Sequence, residues 1–142
     1  MFSIIIPSLN NIDYLKLCIK SIKNNSNFNH EIIVHVNQGT DGTIKFLKKE
    51  KIKYSYTNYN AGICKGVNLA SKISTYDYIL YAHDDFYFCP GWDDVLKKEL
   101  KNLKNNLFYF SGTMIQNGQV ELDCGNSLEN FDENKLLKEY KS

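Results

Sequence analysis

The segment Tyr78-Ile79-Leu80-Tyr81-Ala82-His83-Asp84-Asp85-Phe86 decides how the remaining chain is read. Its first residues are apolar and rich in β-formers, which predicts a buried strand. That strand stops at two adjacent carboxylates, Asp84 and Asp85, with His83 beside them. Two such carboxylates repel each other and resist desolvation unless a cation or strong donors compensate. Oxygen ligands of this kind suit Mg2+ or Mn2+, which bind through one or two carboxylates plus phosphate oxygens. The same dipeptide also reads as a solvated turn in which Asp85 or a neighbour caps something.

The elements before it share one rhythm. Phe2-Ser3-Ile4-Ile5-Ile6-Pro7 is a continuous apolar run, the pattern of a strand buried on both faces. Ile12, Leu15, Ile19 and Ile22 then recur at helical spacing, predicting a helix over 12–24 capped by Asn10 or Asn11. Glu31–Val36 reads as a second strand, followed by a Gly-containing polar loop and a helix near 43–50. Lys51–Tyr56 is a weaker third strand, and Ile63, Val67, Ala70 and Ile73 mark a helix over 63–73. After Asp85, Pro90-Gly91-Trp92 opens a helix that runs to about Asn105. Leu107–Phe110 reads as a further strand, and Asn117-Gly118 as a hairpin turn between Met114–Gln116 and Gln119–Leu122.

Strand–helix alternation repeated four times implies an α/β fold, a mostly parallel sheet joined by right-handed crossovers. Ligands of such sheets sit outside the carboxyl ends of the strands. Four polar loops fall there, carrying Asn10, Asn37–Asp41, Asn58–Gly62 and His83–Asp85.

Composition narrows the function classes. The chain of 142 residues, 43% hydrophobic and 23% charged, has the size and balance of one globular domain. A net charge of +1 argues against holding nucleic acid through bulk electrostatics. Cys18, Cys64, Cys89 and Cys124 are scattered and form no CxxC pair, so reduced and mostly buried thiols are expected. Met1-Phe2-Ser3 leads straight into a strand, and no long apolar run occurs, so a cytoplasmic location is expected.

Five motifs in order then resemble the nucleotide-binding half of family-two glycosyltransferases, which have the GT-A fold. They are Ser3-Ile4-Ile5-Ile6-Pro7-Ser8-Leu9-Asn10, Asn37-Gln38-Gly39-Thr40-Asp41-Gly42-Thr43, Asn60-Ala61-Gly62 through Asn68-Leu69-Ala70, His83-Asp84-Asp85, and Pro90-Gly91-Trp92. The resemblance implies a GT-A-like sheet with helices on both faces and a small hairpin near the C-terminus. It divides the single domain into a nucleotide-sugar-binding part over about 1–106 and a partial acceptor part over 107–142.

The resemblance also implies an activity: transfer of a sugar from a nucleoside-diphosphate sugar to a hydroxyl of a saccharide or lipid-linked acceptor, with inversion. Pro7, Ser8, Asn10 and Asn37 would line the nucleotide, and Gly62 would let backbone approach it. Asp84 and Asp85 would hold Mn2+ or Mg2+ on the diphosphate, a Lewis-acid role. His83 would ligate that metal, contact phosphate, or pack beneath the loop. Glu139 would be the general base, with Asp123 as a second candidate; a charged terminal helix is the other reading of both. Lys65 reads as an exposed helical lysine or a phosphate ligand, and Asp41 as a cap of the next helix. Peripheral membrane association or homo-oligomerisation is compatible with this reading. Asn37 stands where the family usually has an aspartate, and the acceptor half is short. Those departures support an alternative, a nucleotide-sugar-binding or regulatory domain without transfer.

Overall fold

Phe2–Leu9 forms β1 in the computed structural model, which describes residues 1–109, 111–115 and 120–141. Phe2 through Ser8 are all buried, as a run with no polar alternation requires. The chain continues through α1 (Ile12–Asn25), β2 (Glu31–Asn37), α2 (Thr43–Lys49), β3 (Lys53–Thr57), α3 (Ile63–Ser71) and β4 (Tyr78–Tyr81). These strands pair in parallel in the order β3-β2-β1-β4. Successive strands step outward from β1 to β3, and the chain then returns across the sheet to β4. Right-handed crossovers therefore place α1 and α2 on one face and α3 on the other.

Strand alternation divides the core accordingly. Ile5 and Ile33 pack with Ala70 and Val67 of α3. Ile4, Ile6, Val34 and Val36 point to the opposite face and are also fully buried, so both faces of the sheet are covered. Leu15, Cys18, Ile19 and Ile22 form the buried stripe of α1. His35 shares the α3 face and is completely buried. Its ring lies where a Cβ on Gly66 would come within 2.6 Å, so a glycine is what lets α3 approach β2 this closely.

At the amino-terminal end of the sheet Glu31 gathers four donors. It accepts from the Ser3 hydroxyl (2.6 Å), from the Thr75 amide and hydroxyl (2.8 and 2.9 Å), and from the Lys53 ammonium. One carboxylate thus stitches β1, β2, β3 and the segment entering β4.

Residues 1–88 form one compact unit, and the chain from Cys89 onward forms another. The second unit carries α4 (Trp92–Asn102) and α5 (Glu133–Glu139). Asp132 caps α5 by accepting from the Lys135 amide (2.9 Å), and its own amide donates to the Cys124 carbonyl (2.8 Å). Tyr140 reaches back to the Pro90 carbonyl (3.2 Å). Leu136 and Cys124 supply the buried apolar residues described in this unit.

The sequence expectations need four corrections. The strand before Asp84 is not buried: β4 is an edge strand, and Ile79 and Tyr81 are 50% and 42% exposed. An apolar run does not reveal whether its strand has neighbours on both sides. In α3, Ile63 is exposed, and Ile73 lies beyond the helix and is exposed too. Leu107–Tyr109 form no strand, and Leu107 and Tyr109 are 92% and 94% exposed; Phe110 lies outside the described residues. The Asn117-Gly118 turn lies outside the described residues; among those described, its flanks show one bridge, between Ile115 and Val120. Finally, the cysteines are free, but only Cys18 and Cys124 are buried, whereas Cys64 is exposed.

Candidate functional site

β4 pairs with β1 only from Phe2 to Ile5. Beyond that point Pro7, which has no N–H to offer, continues β1 beside β2 alone. The two strands therefore part toward their carboxyl ends. Sheet order also reverses here, because β1 leads one way to β2 and the return crossover leads to β4 on its other side. This is the switch point at which open α/β sheets bind ligands.

Four loops meet around that crevice and are joined by side-chain hydrogen bonds. The Asn11 amide donates to Asp84 Oδ1 (3.0 Å), tying the loop after β1 to the loop after β4. Asn10, at a positive φ of 47°, accepts from the Thr40 amide (2.8 Å) in the loop after β2. Asp41 accepts from the Ile12 amide (2.9 Å) and from the Thr43 amide and hydroxyl (3.1 and 2.7 Å). Asn37 accepts from the Ala61 amide (2.8 Å), which brings in the loop after β3. Burial works against the Asp41 carboxylate, but the Thr43 and Ile12 donors outweigh it and hold its pKa below the ordinary value.

Asp41 therefore caps α2, as expected, and also serves the first amide of α1. Neither Asn10 nor Asn11 caps α1 through its side chain. The cap comes from the neighbouring loop because both asparagines are spent on bonds between loops.

At the loop tips, Asn60 accepts from the Gly62 amide (3.0 Å) and turns the chain into α3. Gly62 has φ 79° and ψ 168°, a region essentially restricted to glycine, and none of the described residues lies within 4 Å of where its Cβ would be. The space beside it is open to an approaching ligand. Ser8 is buried, and its hydroxyl has no partner among the described residues. Lys65 is exposed, donates to the Tyr59 hydroxyl (2.6 Å) and lies 5.2 Å from that ring's centroid.

Asp84 is half-buried and Asp85 exposed. Their field is felt nearby. Burial, and then the charges of Asp84 and Asp85, push the Cys18 thiol up to about 12, although a Phe86 backbone bond works the other way. Burial, Cys64 and the same two carboxylates raise Tyr81. A negative potential beside exposed carboxylate oxygens fits a hard divalent cation. Among the described residues no three His, Cys, Asp or Glu side chains gather as a complete ligand set. A cation here would complete its shell from phosphate and water, as Mg2+ commonly does. His83 does not add a ring nitrogen freely: its Nε2 lies 2.9 Å from the Tyr81 hydroxyl.

The structure thus gathers Asn10, Asn37, Gly62 and Asp84 in one linked set of loops, with Pro7, Ser8, His83 and Asp85 on the same strand ends. Glu139 lies in α5 of the second unit, half-buried. Asp123 Oδ1 accepts from the Gly125 amide (2.9 Å), where it shapes a turn. Sequence reasoning passed over Asn11 and Cys18 as members of the site. Asn11 and Asp84 are 73 positions apart, so only the β1–β4 adjacency reveals that bond.

Comparison with known proteins agrees with this fold. The profile of glycosyl transferase family 2 matches residues 3–135. A Rickettsia bellii protein described as an uncharacterized glycosyltransferase is 34% identical over 118 residues, covering 80% of this chain and 16% of that protein. Among solved structures, S. aureus TarS 1–349 superposes with a TM-score of 0.71 at 20% identity, over 87% of this chain and 38% of TarS. TarS 1–349 in complex with UDP gives 0.61 at 24% identity, over 70% and 32%. The chain thus spans well under half the length of each of these relatives. No helix among the described residues is long and apolar enough to cross a membrane. With the sheet order, the switch-point loops and a family match over most of its length, the chain belongs to glycosyl transferase family 2.

Proposed function

We propose that the crevice between β1 and β4 binds a nucleoside-diphosphate sugar and that the chain transfers the sugar to an acceptor hydroxyl. The observation that carries this reading is the hydrogen-bonded linkage of all four loops around the exposed Asp85. Such a frame is already organised, so little ordering cost remains when the donor binds.

Each residue has a part. Pro7, Ser8, Asn10 and Asn37 line the nucleoside, with the Ser8 hydroxyl, which has no partner among the described residues, ready for a polar group of the ligand. Gly62 admits the diphosphate against backbone. Asp84 and Asp85 hold Mn2+ or Mg2+, which when bound would offset negative charge on the departing nucleoside diphosphate. Asn11 keeps Asp84 oriented through its single amide bond. Glu139 is the base assigned to take the acceptor's proton as its oxygen attacks the anomeric carbon from the face opposite the leaving diphosphate. Asp123, whose Oδ1 accepts from the Gly125 amide, is the second candidate. The UDP complex of TarS supports a uridine nucleotide as the first one to try. A saccharide or lipid-linked acceptor and a cytoplasmic site of action complete the reading.

The test is thermal unfolding with UDP, GDP, CDP or dTDP, each with and without Mn2+. A ligand at a hundred times its Kd adds about 2.7 kcal/mol. A shift with one nucleotide, dependent on Mn2+ and lost in Asp84→Ala/Asp85→Ala, is expected. Equal binding by that double variant would sink the metal assignment. Binding without any hydrolysis or transfer of the matching sugar nucleotide would favour a binding domain over a transferase.

A further inference from the structure

His83 is fixed more firmly than a loop residue needs to be. Its Nε2 lies 2.9 Å from the Tyr81 hydroxyl, and the two rings meet edge-on with centroids 5.0 Å apart. Phe86 packs against the imidazole from another side, its centroid at 5.1 Å. The His83 carbonyl accepts from the Cys18 thiol (3.6 Å), so the backbone is held as well. Ring and backbone are both set immediately before Asp84.

The direction of the Tyr81–His83 bond decides what the imidazole has left to offer. A phenol O–H is a stronger donor than the N–H of neutral imidazole. The bare ring nitrogen is a stronger acceptor than a phenol oxygen. Tyr81 therefore donates to Nε2, and the ring's proton rests on Nδ1. In that tautomer the Nε2 lone pair is engaged and Nδ1 has none to give. A ring so held is a poor ligand for a cation and a ready donor to an anion.

We infer that Tyr81 is a positioning residue that holds His83 as an Nδ1–H donor to a phosphate oxygen of the nucleoside diphosphate, leaving Asp84 and Asp85 as the protein's cation ligands. The inference rests on the donor-site reading above and assigns a phosphate contact within it. An Nδ1–H donor at this place adds a hydrogen bond to the leaving group beside the two carboxylates. It also explains why an aromatic hydroxyl stands on the exposed side of the edge strand, where packing alone requires none.

Two measurements on the full chain test it. In 15N-histidine-labelled protein the signals lost in His83→Asn identify His83 among the three histidines. They should show a protonated Nδ1 and an unprotonated Nε2, with the two tautomers mixed in Tyr81→Phe. Separately, Mn2+ affinity is read by electron paramagnetic resonance, and affinity for UDP, GDP, CDP and dTDP by titration with Mn2+ present. His83→Ala should weaken nucleotide binding about tenfold, and Tyr81→Phe about threefold. Mn2+ affinity without nucleotide should stay unchanged. His83→Asn should restore nucleotide binding, because its amide N–H takes the place of Nδ1–H; a merely structural role would not be rescued in this way. A protonated Nε2 in the unmodified chain, or weaker Mn2+ binding by His83→Ala, overturns the inference. Failure of the unmodified chain to bind any of the four nucleotides overturns the donor-site reading and the phosphate contact with it. The tautomer measurement still decides the pairing of Tyr81 with His83, because it needs no ligand.

Discussion

The two ends of the parallel sheet treat their carboxylates in opposite ways. At the amino end, Glu31 is saturated: Ser3, Lys53 and both donors of Thr75 converge on it. At the carboxyl end, among the described residues, Asp84 receives one amide and the buried Ser8 hydroxyl has no partner, while Asp85 is exposed beside them. The first arrangement stabilises the fold and leaves nothing for a ligand. The second withholds satisfaction from its polar groups, which is a cost to the free protein and the capacity of a binding site. One sheet thus separates stability from function by some five residues along β1.

The amino end should show the largest effect on stability. Burial alone would raise the Glu31 pKa, but Lys53, Ser3 and Thr75 outweigh it and hold the carboxyl down at about 2, against 4.5 for a free glutamate. A folded-state pKa below the unfolded one means that the contribution is fully present above pH 4.5. It is lost as pH falls from there toward 2. Because the Lys53 partner is half exposed, solvent screening trims the gain, and about 2 kcal/mol is expected. Glu31→Gln should lower stability at pH 7 by that amount in urea unfolding and flatten the acid limb, while leaving nucleotide affinity unchanged. A full effect on ligand binding would erase the distinction between the two ends.

How much of this was legible in the sequence follows the range of each interaction. β1 could be read directly, because a strand covered on both faces needs no polar alternation, and Phe2–Pro7 has none. The stripe of α1 and the cap of α2 by Asp41 are local patterns and were readable too. The edge position of β4 was not, since an apolar tetrapeptide looks the same at the edge as in the middle. Nor were the loop links, because Asn11–Asp84, Asn37–Ala61 and Asn10–Thr40 span 73, 24 and 30 positions. His35 falls within the strand expected over Glu31–Val36. Its burial against Gly66 depends on how closely α3 approaches, which only the packed structure reveals. After Cys89 the expected strand at Leu107 did not appear, and with few buried apolar residues described there, periodicity has little packing to report.

His35 lies midway between the two ends and should give an intermediate effect. Its Nδ1 is 2.8 Å from the Ser55 hydroxyl, and its Nε2 is 3.3 Å from that of Thr57. Burial pushes its pKa below 6.5, with Asn37 opposing in part. The unfolded chain therefore takes up a proton near pH 6.5 that the folded ring refuses. Stability should fall as pH drops through 6.5 and level off below the depressed folded value. Between pH 6.5 and 5.5 the loss should be at most about 1 kcal/mol. Urea midpoints across that range should slope in the unmodified chain and lose this slope in His35→Gln. An unchanged slope would move the titration to another group.

The smallest effect on stability, and one of opposite sign, belongs to the carboxyl end. Asp85→Asn removes one of two adjacent negative charges but leaves the Asn11–Asp84 bond in place. The field that raises Cys18 and Tyr81 weakens with it. Exposure screens such repulsion, so the gain should be about 0.5 kcal/mol or less. Unfolding without ligand should therefore show Asp85→Asn as stable as the unmodified chain or slightly more so, while its Mn2+-dependent nucleotide binding collapses. That pairing is what a site maintained against its own stability predicts. If Asp85→Asn instead destabilised the free protein by as much as Glu31→Gln, Asp85 would be a structural carboxylate. The contrast between the two ends of the sheet would then fail where the proposed function needs it most.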